Sequence, residues 1–135
     1  GLFTAQQDLW VLYAGPFDSV AAACPARLAS PPDALVKGIT EDTKLTYFGC
    51  ICVTQVAQLP SISPGASGVW VGELQRALRV KLKRSVGDID GPPSLWGSYT
   101  SQTQDAVTQF QSDVGLPATG VVDAATWTAL VGASC

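Results

Sequence analysis

From residue 71 onward the apolar positions recur at three- and four-residue steps. Val71, Leu74, Leu78 and Leu82 form one stripe with Ala77, while Gln75, Arg76, Arg79 and Lys83 fall outside it, which predicts an amphipathic helix over 71–84. The Gly- and Pro-bearing stretch VGDIDGPPSLWGSY, residues 86–99, ends that helix. A second helix is predicted after Thr100, an N-cap residue type, with Thr103, Ala106, Val107, Phe110 and Val114 on its buried face and Gly115 as its stop. A third follows Asp123. Val122 before it and Trp127 after it have the spacing of a hydrophobic staple, and Trp127, Leu130 and Val131 make its apolar face. Turns this short fold three helices back on one another, so a compact three-helix bundle is expected.

Upstream the pattern changes. LWVLYAGPF, Leu9–Phe17, has the aromatic and β-branched content of a strand and ends on a Gly-Pro turn signal. SVAAACPARLA reads as a short helix despite Pro25, and KLTYFGCICVTQV, Lys44–Val56, as a second strand. Between the two regions QLPSISPGASG, residues 58–68, has the Pro, Ser and Gly content of a linker. The fold class is therefore read as α+β: a small N-terminal α+β unit with linker at 1–64, of two or three strands and one helix, then a three-helix domain at 65–135.

Units of this size lie near the lower limit for a self-sufficient core, so covalent staples are expected. The chain has 135 residues and four cysteines, Cys24, Cys50, Cys52 and Cys135, an even count that points to disulfides and an oxidising compartment. On an extended strand Cys50 and Cys52 would share a face with their Cβ atoms too far apart to join. Two connectivities remain, and in both Cys135 reaches back to Cys50 or Cys52 while Cys24 takes the other. The opening GLFTAQQDLW lacks the regions of a signal peptide, which reads as an already processed, secreted chain.

Charge and residue chemistry narrow the function classes. A net charge of -3 disfavours nucleic-acid binding. The cationic cluster RALRVKLKR, residues 76–84, reads as a solvated helix end, with an anion-contacting face as the alternative. No run of about 18 apolar residues occurs, so no membrane insertion is expected. The chain contains no histidine, which removes Ser-His and Cys-His pairs and histidine-bearing zinc sites. Asp88 and Asp90 in GDIDG read as turn formers rather than as paired catalytic acids or the start of a calcium loop. Neither an enzyme nor a cofactor is expected.

Four segments then carry a resemblance. VGELQRAL at 71–78, DG at 90–91, WGSYTSQTQDAVTQFQSDVGL at 96–116 and TGVVDAATWTAL at 119–130 occur in the order and near the spacing of the peptidoglycan-binding type 1 domain family, which the C-terminal region resembles. One departure is the extra PPSL, residues 92–95, which lengthens the turn before Trp96. The resemblance implies non-covalent binding of bacterial peptidoglycan, through glycan or stem peptide, by a module that is not itself catalytic. Aromatic faces and polar groups suit such a ligand. Asp90, Trp96 and Tyr99 in the enlarged turn, with Gln109 and Gln111 on the second helix, are accordingly the candidate ligand contacts. Trp96 has a structural alternative as a lid on the core, and the two glutamines as solvated helix positions. LWVLYAGPFDSVAAA also resembles, over that short stretch, the opening of the sporulation-related repeat family, another peptidoglycan-binding fold.

The expectation is thus a secreted, non-enzymatic, extracellular or cell-wall-associated bacterial protein that binds peptidoglycan through its C-terminal domain. The alternative is an extracellular structural or accessory protein whose helical module no longer binds wall and serves instead as a partner-binding or regulatory surface. A narrower form of it makes Gln6 and Gln7, in the terminal segment TAQQDLW, acyl donors for a transglutaminase.

Overall fold

In the computed structural model, which describes residues 14–39, 45–83 and 96–135, the first element is helix α1, Val20–Leu28. The Ser19 hydroxyl caps it by accepting the Ala22 N–H at 3.1 Å. A two-stranded antiparallel sheet follows, β1 Val36–Ile39 against β2 Leu45–Phe48, in register Val36↔Phe48 and Lys37↔Tyr47. Gly38 is fixed by its neighbour, because a Cβ there would lie 2.6 Å from the Phe48 ring. Helix α2, Val69–Arg76, continues into a π-helical turn at Ala77–Lys81 and ends where Lys83 takes a positive φ of 55°. Helices α3, Ser101–Asp113, and α4, Ala124–Ser134, complete the order.

Two strand expectations are corrected. Of the strand expected at Leu9–Phe17, residues 9–13 lie outside the described residues, and residues 14–17 form no strand. The strand expected over Lys44–Val56 stops at Phe48, with short 3₁₀ turns at Cys50–Cys52 and Val56–Gln58 in its place. The reason is visible at Cys50: its N–H, which a strand would give to a ladder, goes instead to the Glu73 carboxylate at 2.7 Å. β1 escaped the sequence pattern because Lys37 and Gly38 interrupt any run of strand-forming residues.

The disulfides are Cys24–Cys50 and Cys52–Cys135. The first ties α1 to the turn after β2, and the second ties that turn to the end of α4. Cys50 and Cys52 therefore reach in different directions, from a 3₁₀ turn rather than from the strand face assumed for them.

The C-terminal helices follow the sequence reading closely. Thr100 caps α3 by accepting the Thr103 N–H, and Asp123 caps α4 by accepting the Thr126 N–H at 2.8 Å. That bond and a second from the Thr126 hydroxyl hold the Asp123 carboxyl below its ordinary range. Gly115, at φ 75°, ends α3 in a Schellman arrangement, with Leu116 N–H on Gln111 O at 2.8 Å and Gly115 N–H on Ser112 O at 3.2 Å. Val114 is a correction: it is 43 % exposed, because the chain leaves the helix at this C-cap and carries the side chain off the buried face.

The core joins Val71, Leu74, Leu78, Tyr99, Val107, Phe110, Val122, Trp127 and Leu130 to Ile51, Leu59 and Ile62 from upstream. Residues 58–68, read from sequence as a linker, lie against the helical region along their length. Ile62 pairs with Val122 through reciprocal backbone hydrogen bonds of 3.0 and 2.8 Å, and Trp127 Nε1 donates to Pro60 O at 2.8 Å. Tyr99 N–H reaches Ala66 O at 2.9 Å, and Gly68 N–H reaches Gly97 O at 2.8 Å.

Candidate functional site

Two buried glutamines organise the turns on which the candidate contacts sit. Gln75 of α2 donates through Nε2 to Ser98 O at 2.9 Å and to the Thr103 hydroxyl at 3.1 Å, and its Oε1 accepts the Gly97 N–H at 2.9 Å. Gln111 of α3 repeats the device one turn later. Its Nε2 donates to Val121 O at 2.8 Å and to the Thr126 hydroxyl at 3.0 Å, and its Oε1 accepts the Gly120 N–H at 2.9 Å. Each amide replaces the missing backbone partners of a tight loop, the condition under which a buried polar side chain is tolerated.

Tyr99 joins the second clasp. It is 4 % exposed, its hydroxyl donates to Gly120 O, and burial pushes its phenol up to about 12. Tyr99 and Gln111, two of the residues expected to contact ligand, thus do meet in space, but around the Gly120 backbone, with their polar atoms already satisfied. Replacing Gln111 by alanine leaves the buried Gly120 N–H and Thr126 hydroxyl short of partners, so a loss of about 2–3 kcal/mol in urea denaturation is expected. Gln109→Ala, two residues earlier at an exposed position where the amide donates to Asp113 Oδ1 at 3.0 Å, should stay within about 0.5 kcal/mol of wild type.

The N-terminal unit covers one side of α2. Pro32 sits against Gly72, where a Cβ would lie 2.7 Å from Pro32 O, and against Gly97, where a Cβ would overlap the Pro32 ring. Beside this contact Arg27 Nε lies 3.0 Å from Glu73 Oε1, with both side chains 1 % exposed. The contact is ionic rather than an aligned hydrogen bond, and Arg27 donates from its terminal nitrogens to Pro31 O at 3.2 Å and Pro32 O at 3.0 Å. Glu73 Oε2 accepts the Cys50 N–H and, at 3.5 Å, the Tyr47 hydroxyl, whose pKa is raised first by burial and then by that carboxylate.

Arg76 is the second clasp between the regions. It donates to Asp33 O, and its guanidinium carbon lies 4.3 Å from the centroid of the Trp96 ring and 5.8 Å from that of Tyr47. Burial lowers its pKa, and it is 4 % exposed, so the reading of Arg76 as part of a solvated cationic helix end is corrected. Trp96 is half-buried, with one ring face occupied by this guanidinium.

These turns and clasps coincide with the segments that matched by motif. Residues 67–130, slightly under half the chain, match the family model described as "Putative peptidoglycan binding domain". No curated protein and no solved structure gives a significant match to the chain. The matched segment begins at Ser67, which bridges to Ser98 in the Trp96–Tyr99 turn, and ends with Leu130 in the core.

The five candidate contacts therefore separate into distinct settings. Tyr99 and Gln111 are buried in the loop clasp, Gln109 is exposed on the outer side of α3, and Trp96 is half-buried beside Arg76. Asp90, with the PPSL insertion, lies outside the described residues, as do Gln6 and Gln7. Sequence reasoning missed Gln75 and Glu73, whose roles depend on partners 22 to 46 positions away. Among the described residues no group of three potential metal ligands occurs, and no helix is long and apolar enough to cross a membrane.

Proposed function

We infer that this is a secreted, non-enzymatic bacterial protein that attaches to cell-wall peptidoglycan through its C-terminal helical region. The observation that carries the reading is the family match over residues 67–130, whose description is of a binding domain. Two disulfides support an oxidising, extracellular or wall location. The contacts assigned to the ligand are Trp96, through the surface that Arg76 leaves open, with Asp90 from the same turn and Gln109 from α3. Co-sedimentation with protein-free sacculi tests this. The full chain should pellet with the wall, and Trp96→Ala should weaken binding about tenfold, or about 1.4 kcal/mol. A chain that stays in the supernatant defeats the reading.

One observation favours a second reading. Tyr99 and Gln111 are committed to the protein's own backbone, and the Gly72–Arg76 side of α2 already receives the N-terminal unit. A module used in this way suits an extracellular accessory protein that presents a surface to a protein partner, with cross-linking at Gln6 or Gln7 as its narrower form. Unchanged wall binding in Trp96→Ala and Gln109→Ala, or mapping of a transglutaminase-coupled amine to Gln6 or Gln7, would favour it.

A further inference from the structure

A groove of about 350 Å³ runs between α1 and the chain that follows Cys52, and Trp70, from the first turn of α2, forms part of its wall. Pro25 and Leu28 line it from α1, and Val53, Thr54 and Gln58 line it from the other side. The geometry points to this groove as a subsite for a single N-acetylated sugar ring of a glycan strand. This deepens the wall-binding reading and rests on it, choosing the glycan over the stem peptide.

Three properties lead to that ligand. The volume sits at the low end of small-ligand pockets, which span roughly 300–1,000 Å³, so it suits one ring rather than a folded peptide. The lining is uncharged. A stem peptide would bring carboxylates into a groove whose lining offers no cation to receive them, at a desolvation cost that a neutral sugar avoids. The lining also combines the two surfaces that a sugar presents: apolar C–H faces for the Trp70 indole, and hydroxyl and acetamido groups for the Gln58 amide and the Thr54 oxygen. Thr54 donates its own hydroxyl hydrogen to Cys50 O at 2.8 Å, which leaves its oxygen as an acceptor for a sugar hydroxyl.

The walls are fixed before ligand arrives. Cys24, at the groove, is bonded to Cys50, and Arg27 on the same helix is paired with Glu73, one turn along α2 from Trp70. Little ordering remains to oppose binding. Of these lining residues only Trp70 falls within the matched segment, so the N-terminal unit completes a site that residues 67–130 do not contain.

The test titrates the isotopically labelled full chain with the linear tetramer of N-acetylglucosamine and, separately, with a free stem pentapeptide, and measures sacculus binding in parallel. The tetramer should shift the resonances of Val53, Thr54, Gln58 and the Trp70 indole, and the pentapeptide should not. Trp70→Ala should weaken tetramer binding at least about tenfold. Because Trp70 also packs against the core, Gln58→Ala at an exposed position provides the variant that keeps the fold, with a loss of about three- to tenfold expected. Sacculus binding without tetramer shifts in the groove, or with shifts from the pentapeptide alone, overturns the subsite and leaves the wall-binding reading standing. Absence of sacculus binding removes both.

Discussion

Glu73→Ala should destabilise the protein by about 3–5 kcal/mol, the range for removing one member of a buried ion pair. The loss has two parts. Arg27 is left charged and buried with only the Pro31 and Pro32 carbonyls, and the Cys50 N–H loses its acceptor inside the core. Arg27→Met should fall in the same range for the complementary reason, an uncompensated carboxylate. The double variant Arg27→Met/Glu73→Gln separates the pair from the burial: the amide oxygen introduced at position 73 can still accept from Cys50 N–H, and neither member of the pair remains charged. With Glu73→Gln and Arg27→Met as the singles, its loss should be smaller than their sum by about 1–3 kcal/mol in a double-mutant cycle from denaturant midpoints. Additive losses would mean that Arg27 and Glu73 do not act as a pair.

Removing the Cys52–Cys135 bridge with Cys52→Ser/Cys135→Ser should cost about 4–5 kcal/mol. The cysteines are 83 positions apart, and the chain-entropy model gives that figure for a loop of this length. Both residues are exposed, so serine replaces them without burying an unpaired hydroxyl, and the loss reports the cross-link itself. The same exposure orders the reduction of the two bridges. Cys24 and Cys50 are 4 % and 0 % exposed, so graded dithiothreitol followed by alkylation should tag Cys52 and Cys135 first. Prior tagging of Cys24 and Cys50 would contradict the burial on which both expectations rest.

The legible parts of the sequence are those governed by short-range rules. Thr100, Asp123 and Gly115 act within a few residues, and they cap and stop their helices where the pattern places them. The staple residues Val122 and Trp127 are both fully buried. What escaped was set by distant partners. On α2 the pattern separates an apolar stripe from Gln75 and Arg76, yet residues 71–78 are all buried, because Pro32, Asp33 and Arg27 cover the polar side. The helix looks amphipathic alone and is a central element in context. The strand expected through Cys50 failed for the same kind of reason, since its backbone donor is claimed by a carboxylate 23 positions later.

For the candidate site, the motif was read more easily than its roles. Gln111 carries the same letter as Gln109, and only the three-dimensional position of Gly120 distinguishes a loop clasp from a solvated surface amide. The residues that make a motif recognisable are here largely those that shape its turns. Surfaces left for a ligand are fewer, chiefly Trp96 beside Arg76 and the groove at Trp70.

The most direct measurement is a saturation isotherm of the full chain on purified sacculi, at about 50 mM and about 500 mM NaCl, conditions that differ several-fold in screening length. Contacts made mainly by aromatic faces and uncharged polar groups, with Asp90 the one charged contact assigned, predict saturable binding that keeps most of its affinity at the higher salt. Binding that vanishes at the higher salt would contradict recognition through these contacts, and no binding at either salt would contradict attachment of this protein to the wall.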